Sequence, residues 1–169
     1  MGLGLLGVST VGACTVQPLY TATDPAAGDF SSTTKGKVNF ASADNRIEQV
    51  TRDTMIFRLN GGGSSAAINP VFDADISVTS TISGRFRTPD TSAGQTSASV
   101  VTVSGTLTLK DSKTGAKEAT IKRSSITSID RGGQDFANER AELDAEKRGA
   151  IEIGEQFATL VAARLAQQN

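Results

Sequence analysis

The chain has 169 residues, about the length of one domain, with a formal net charge of −1 and only 5% aromatic residues. Near-neutral charge and the absence of tryptophan argue against nucleic-acid binding, which needs basic patches and aromatic stacking platforms. The sequence has no histidine and a single cysteine, Cys14. This composition excludes histidine-dependent catalytic triads, an intramolecular disulfide and cysteine-rich zinc sites. We therefore expect no enzymatic activity, no metal and no cofactor.

The first thirteen residues, MGLGLLGVSTVGA, are uncharged and apolar or small. The run is shorter than the roughly 20 residues that span a bilayer as a helix, and it suits the apolar region of a secretory signal. It ends in Val11-Gly12-Ala13-Cys14, which resembles a bacterial lipobox. We therefore expect residues 1–13 to be a lipoprotein signal peptide, Cys14 to be acylated, and residues 14–36 to form the lipidated start and a flexible tether.

The residues around this signal bear on where the natural chain starts and on the membrane to which the protein is targeted. A signal normally opens with Lys or Arg, whereas the first basic residue here is Lys35, so we expect the natural start to lie upstream. Thr15 follows the cysteine, at the position where lipoproteins retained in the inner membrane often carry Asp. By that analogy the outer membrane is the expected destination. The alternative is that residues 1–13 are a core segment of a cytosolic protein.

Residues 37–169 are predicted to form a single domain that begins with a short strand and a helix. The strand is Lys37–Phe40, and Ser42 or Asp44 is expected to cap the helix. Asn60 and the glycines after it end this helix, and no GK[ST] follows, so they are not a P-loop. The stripe expected to be buried is Ile47, Val50, Thr54 and Phe57.

Three strands are predicted next, at 71–82, 98–110 and 117–129, with a polar loop at 84–96. Asp111–Gly115 is a turn signal, so neighbouring strands are expected to pair in antiparallel fashion. Asp73 and Asp75 alternate with apolar residues and are expected to face solvent. The alternative is that these two carboxylates belong to the site of a secreted, carboxylate-dependent enzyme.

The last element is predicted to be a long helix that begins after Gly132-Gly133, with Asp135 as its cap. Its periodic stripe is Phe136, Leu143, Ala150 or Ile151, Gly154, Phe157, Val161 and Leu165. The fold class is therefore α+β: a largely antiparallel sheet of about four strands with two helices packed on one face, in the order β-α-β-β-β-α.

Three stretches of the chain resemble the LPS-assembly lipoprotein (LptE) family. Cys14-Thr15-Val16-Gln17-Pro18-Leu19-Tyr20 is similar to a mature start in that family, Cys-Gly-Phe-Gln-Pro-Leu-Tyr. Residues 46–62 resemble its first helix and the stop after it, and residues 136–148 resemble its last helix. The order of elements agrees over nearly the whole mature chain.

The resemblance implies a non-enzymatic lipoprotein anchored in the outer membrane on the periplasmic side. Its implied partners are an LptD-type outer-membrane β-barrel, which it would help assemble and plug, and lipopolysaccharide (LPS), which it would bind during insertion in the outer leaflet. The alternative is a generic periplasmic lipoprotein adaptor of another envelope complex.

Basic residues are concentrated in the predicted sheet: residues 85–131 hold eight basic and four acidic side chains, whereas residues 135–165 hold four and seven. Lipid A carries phosphates, which Lys and Arg bind through charge-assisted hydrogen bonds. We expect Lys110, Lys122 and Arg123 to lie near one another on adjacent strands and contact these phosphates. Arg85 and Arg87 in the loop are expected to add to this surface or to contact LptD. The alternative is that all are ordinary solubilising charges.

Overall fold

A computed structural model describes residues 34–62, 67–86, 97–132 and 134–168. The expected signal peptide, Cys14, the tether up to residue 33 and Arg87 lie outside the described residues, as does the side chain of Arg85. The order β-α-β-β-β-α is confirmed. The elements are β1 (Val38–Phe40), α1 (Arg46–Asn60), β2 (Phe72–Phe86), β3 (Ser97–Asp111), β4 (Lys117–Arg131) and α2 (Asp135–Ala166).

The four strands form one sheet in the order β1-β2-β3-β4. The short strand β1 runs parallel to β2, and the two long hairpins β2-β3 and β3-β4 are antiparallel, as the turn signals indicated. The long strands extend beyond their predicted ends. Ala98 of β3 pairs with Phe86 of β2, and Ser97 of β3 pairs with Arg131 of β4. Backbone pairing continues there although the apolar alternation has stopped, so the sequence pattern placed these ends too early.

Both helices pack on one face of the sheet, and the core lies between the two layers. Alternate residues of β2 and β3 point into this core, because successive side chains of a strand face opposite sides. The strand residues buried there are Phe72, Ala74, Ile76, Val78, Val101, Val103, Leu107 and Leu109. They pack with the buried side of α2, which includes Ile153, Phe157 and Val161.

Gly154 and Gly105 are two of the glycines that allow the helices and the sheet to approach closely. A Cβ on Gly154 of α2 would lie 2.9 Å from the Thr51 carbonyl oxygen of α1, and a Cβ on Gly105 of β3 would lie 2.8 Å from Ile153 Cγ2. Real Cβ atoms essentially never come this close. Glycine is therefore required by packing at both positions, at the helix–helix and helix–sheet contacts respectively.

The helix α1 differs from the sequence prediction in its cap and in its buried face. Its N-cap is Asn45, whose side chain accepts a 2.9 Å hydrogen bond from Glu48 N, so Ser42 and Asp44 do not cap it. Phe57 of the predicted stripe is 62% exposed. The face that is buried consists of Glu48, Thr51, Met55, Ile56, Leu59 and Asn60. The stripe was misplaced because polar Glu48 and Thr51 lie on the buried side, where their hydrogen bonds are made within the fold.

The helix α2 begins as expected, but its first two apolar stripe residues are exposed. Gln134 is at the N-cap position and Asp135 lies in the first turn, so Asp135 is not the cap. Phe136 is 70% exposed and Leu143 38% exposed, whereas Ala150, Gly154, Phe157, Val161 and Leu165 are buried. Near its start the helix is joined to the end of β4 by the Arg131–Glu142 ion pair and to Gly132 by two hydrogen bonds of Asn138. Ala141 faces the core there, whereas Phe136 is covered by the guanidinium of Arg140, 5.4 Å from its ring centroid.

The last residues of the predicted tether belong to the folded domain. Thr34 Oγ1 donates a 2.6 Å hydrogen bond to the Leu59 carbonyl, and Gly36 N donates one of 3.1 Å to Asn60 Oδ1. Both acceptors are in the last turn of α1. The chain therefore enters the domain at the C-terminal end of this helix.

Candidate functional site

The face of the sheet that the helices leave uncovered is lined mainly by hydroxyl side chains. We call it the outer face. Cross-strand register places these side chains in rows, for example Thr79, Ser104 and Ser124 in one row. Its hydroxyl-bearing positions are Ser77, Thr79, Thr81, Ser83, Thr102, Ser104, Thr106, Thr108, Thr120, Ser124 and Ser128. Ile126, which is 69% exposed, is a large apolar exception on this face. The surface is broad, polar and close to uncharged over most of its length.

Basic side chains gather at the β3–β4 hairpin end of the outer face. Lys110 is in register with Lys117 on β4 and with Asp73 on β2. Asp73 Oδ1 instead accepts hydrogen bonds from Asn39 Nδ2 at 3.0 Å and Ser112 Oγ at 3.3 Å. Within the part of the chain that the structure describes, neither Lys110 nor Lys117 has a carboxylate within ion-pair distance. Two like charges directly opposite each other are unfavourable, and an anion would relieve them.

A turn and a cleft continue this basic end beyond the strands. Asp111 Oδ1 accepts hydrogen bonds from Thr114 N, Thr114 Oγ1 and Lys113 N at 2.7, 2.8 and 3.0 Å. The bonds from Thr114, followed by the Lys113 amide and charge, hold the pKa of the Asp111 carboxyl below its ordinary value. The adjoining open cleft of about 720 Å³ is lined in part by Lys37, Lys113 and Gln168. This end of the domain therefore presents amino groups around an accessible concave surface.

The structure brings the predicted phosphate-contacting residues together only in part. Lys110 and Lys122 both lie on the outer face, but Lys122 is in register with Thr106, four residues along β3 from Lys110, which corresponds to about 13 Å. Arg123 is opposite Gly105 and points to the helix side, and its Nη1 donates to the Lys122 carbonyl at 2.9 Å. Lys122 and Arg123 therefore start on opposite faces of β4, because neighbouring residues of a strand face opposite sides, and the structure does not bring them together in one site.

Sequence reasoning missed Lys117 as a partner of Lys110. The turn signal at residues 111–115 places Lys110 near the start of β4, but a register shift between Leu109 and Lys110 is what brings Lys117 opposite it. Lys113, inside that turn, was likewise counted among basic residues but not given a role. Asp73 and Asp75, the carboxylates of the enzyme alternative, lie on the open outer face next to these lysines.

A second accessible surface is a groove between the two helices, of about 470 Å³. We call it the helix groove. Its apolar floor includes Phe57, Val50 and Ile151, and the Arg58–Glu155 ion pair joins the helices at one end. The residues that line it are Val50, Asp53, Thr54, Phe57, Arg58, Lys147, Ile151 and Glu155. The groove thus combines a partly exposed apolar floor with a charged rim.

The described residues contain no cluster of His, Cys, Asp or Glu that could hold a metal ion. Among the same residues, neither helix is long and apolar enough to cross a membrane.

No protein-family model and no curated protein sequence matches the chain. Solved structures do match. A candidate lipoprotein from Caulobacter crescentus is 17% identical with a TM-score of 0.60, covering 85% of this chain and 98% of its own. The rare lipoprotein B from Shewanella oneidensis is 10% identical with a TM-score of 0.51, covering 79% and 98%. The minor lipoprotein from Acinetobacter baumannii is 10% identical with a TM-score of 0.50, covering 75% and 89%. The chain therefore has the fold of these lipoproteins across almost their whole length.

Proposed function

We propose that the chain is an outer-membrane lipoprotein that assembles with and plugs the LPS-translocon barrel LptD, and that binds LPS during its insertion in the outer leaflet. The observation that carries this proposal is the shared fold with a candidate lipoprotein, which spans 98% of that protein's chain. The sequence adds independent support through the lipobox-like stretch that ends at Cys14 and through its resemblance to the LptE family. In this proposal the role is one of binding and assembly, without catalysis.

The anchor in this proposal is a lipid on Cys14. Acyl chains contribute about 0.8 kcal/mol per buried methylene, so two or more chains hold a domain of this size on a membrane. The described domain begins at Thr34, and the residues between Cys14 and Thr34 are long enough to link a lipid in the outer membrane to a domain in the periplasm.

The outer face suits a partner with a hydrated interior. Its Ser and Thr hydroxyls can exchange hydrogen bonds with water and with the polar side chains that line the lumen of a membrane β-barrel. A helix-covered face on the other side keeps the core of the domain closed while the outer face is engaged. These features support a plug inside a barrel such as LptD.

The basic hairpin end suits the phosphates of LPS. Among the described residues, Lys110 and Lys117 face each other with no carboxylate within ion-pair distance, and Lys113 and Lys37 line the adjoining cleft. Lysine binds phosphate as a point charge through its ammonium group. We therefore favour this end as the phosphate-contacting part, with Lys122 as a further contact on the same face, and Arg85 and Arg87 stay candidates from the sequence.

Depletion of the protein from its own cells tests this proposal. The expected result is a loss of folded LptD-type barrel and of LPS in the outer leaflet, both restored by the full chain. Restoration by a Cys14→Ser variant should be weaker, because the local concentration at the membrane is lost. Normal barrel and LPS levels after depletion would refute the proposal and favour an adaptor of another envelope complex.

A further inference from the structure

The helix groove lies beside the point where the described chain begins. Thr34 is hydrogen bonded to the carbonyl of Leu59 in the last turn of α1. Phe57 and Arg58 of the same turn form one end of the groove. The residues that precede Thr34 therefore start within about one helical turn of this surface.

The helix groove resembles a binding surface, and none of the described residues fills it. Phe57 is 62% exposed, and its neighbours Val50 and Ile151 are only partly buried. A large aromatic side chain on a folded surface gains stability when an apolar group covers it. Arg58 and Glu155 on the rim already form an ion pair with each other, so they do not require a charged occupant.

We propose that residues 16–20 of the same chain, Val-Gln-Pro-Leu-Tyr, occupy the helix groove. From Val50 to Arg58 the groove follows about 12 Å of α1. Five extended residues span about 16 Å, so the segment matches the groove in length. Thirteen residues lie between Tyr20 and Thr34 and can bridge up to about 45 Å, so every part of the groove is within reach.

The chemistry of the segment also fits. It is uncharged, and Val16, Leu19 and Tyr20 supply apolar side chains for the floor. Pro18 restricts both itself and the residue before it to extended conformations, which lowers the entropy lost on docking, and aromatic-lined grooves commonly bind such proline-containing segments. Phe30 is nearer to Thr34, but one ring cannot fill a groove that follows two turns of a helix.

Docking would decide how the domain faces the membrane. Cys14 is two residues from Val16, so a lipid on Cys14 would emerge at the helix side of the domain and leave the outer face free. This consequence rests on the proposed function, because it requires the lipid anchor. The docking itself concerns the isolated chain and does not depend on an LptD-type partner.

The chain contains a built-in reporter, because Tyr20 is its only tyrosine and it has no tryptophan. Acrylamide quenching of tyrosine fluorescence in the detergent-solubilised full chain therefore measures the exposure of this one ring. A short tether gives an effective concentration in the millimolar range, so even weak docking should lower the quenching constant about twofold relative to an undocked variant.

Phe57→Asp should raise the quenching constant about twofold by disrupting the groove floor at an exposed position that the fold tolerates. The matched control is Phe136→Asp, since Phe136 is similarly exposed on α2 but outside the groove. Far-UV circular dichroism and a melting curve verify that both variants remain folded. All samples contain the same micelle. If detergent rather than the groove shielded Tyr20, Phe57→Asp and the natural chain would therefore have equal quenching constants.

Leu19→Ser should expose Tyr20 in the same way, whereas Phe30→Ser should not. Equal quenching in the natural chain and in Phe57→Asp would overturn the proposal. So would exposure of Tyr20 by Phe30→Ser and not by Leu19→Ser, because the anchoring side chain would then be Phe30.

Discussion

The carboxylate of Glu48 on α1 accepts the backbone N–H of Val78 on β2, with 3.0 Å between Oε1 and N. The short strand β1 pairs with β2 only as far as Ala74, so the backbone groups of Val78 face an edge that no strand covers. Glu48 Oε2 also accepts from Asp44 N at 2.9 Å, just before the start of the helix. One buried side chain therefore closes part of a sheet edge and positions the first turn of α1 on the sheet.

Glu48→Ala should lower the free energy of unfolding by about 2 kcal/mol, because it leaves the buried Val78 N–H without an acceptor. Glu48→Gln retains one side-chain oxygen and should lose clearly less. Urea denaturation followed by circular dichroism measures both values. If alanine and glutamine cost the same, the hydrogen bond to Val78 is not what stabilises this edge.

Gly154→Ala should destabilise the protein although alanine is the better helix former. The new Cβ would lie 2.9 Å from the Thr51 carbonyl oxygen, a backbone atom that cannot move without shifting α1. Overpacking of this kind costs about 1–3 kcal/mol, which exceeds the gain in helix propensity of about 1 kcal/mol at the upper end. Gly132→Ala is the control, because a Cβ there has no atom within 4 Å. A higher melting temperature for Gly154→Ala would show that the two helices are not tightly packed at this crossing.

Lys110→Ala/Lys117→Ala should weaken LPS binding about tenfold at low ionic strength, by removing two neighbouring ammonium groups from one end of the outer face. Lys122→Ala/Arg123→Ala removes the same charge and should cost less, since these two side chains point to opposite faces. Isothermal titration with purified LPS gives both affinities, and added salt should reduce the difference. An equal or larger loss of affinity in the Lys122→Ala/Arg123→Ala variant would indicate that the phosphate site lies toward the middle of β4.

Asp111 should titrate below its ordinary pKa of 3.8, because the amide and hydroxyl of Thr114 and the amide of Lys113 stabilise its charged form. A carboxyl with a lowered pKa in the folded state stabilises the fold above its unfolded pKa, and this contribution is lost as the pH falls through the folded value. Nuclear magnetic resonance of the carboxyl carbon follows the titration. Asp111→Asn keeps an acceptor oxygen for the turn but should abolish the acid-dependent change in the turn amides. A midpoint at or above 3.8 would contradict the hydrogen bonding seen here.

The sheet and the order of its strands could be predicted because apolar alternation and the Asp111–Gly115 turn are local signals. The buried face of α1 could not be predicted from such local signals. Thr51 lies at the centre of this face, and its buried hydroxyl shares one proton between the carbonyl oxygens of Ile47 and Ala150, at 3.0 and 3.2 Å. Hydrophobic periodicity gives no weight to such a residue. The 70% exposure of Phe136 could not be predicted from the pattern either, since it depends on how the first turns of α2 pack in the folded domain.

The candidate site shows the same division. That Lys110 is exposed at a strand end follows from the sequence, but its pairing with Lys117 depends on a register shift that leaves Glu118 of β4 without a partner in the ladder. The separation of Lys122 from Arg123 follows from strand geometry alone and was open to prediction. The helix groove depends on the crossing of two helices distant in sequence, which only the tertiary structure shows.

The proposed complex with an LptD-type barrel is tested most directly by a pull-down of the chain from its own membranes. The full-length chain is isolated in mild detergent and its partners are identified by mass spectrometry, with Cys14→Ser as the comparison for membrane anchoring. The expected result is a large β-barrel protein in stoichiometric amount with the chain, together with LPS. Recovery of the chain from the membrane with no barrel partner would contradict the proposed complex.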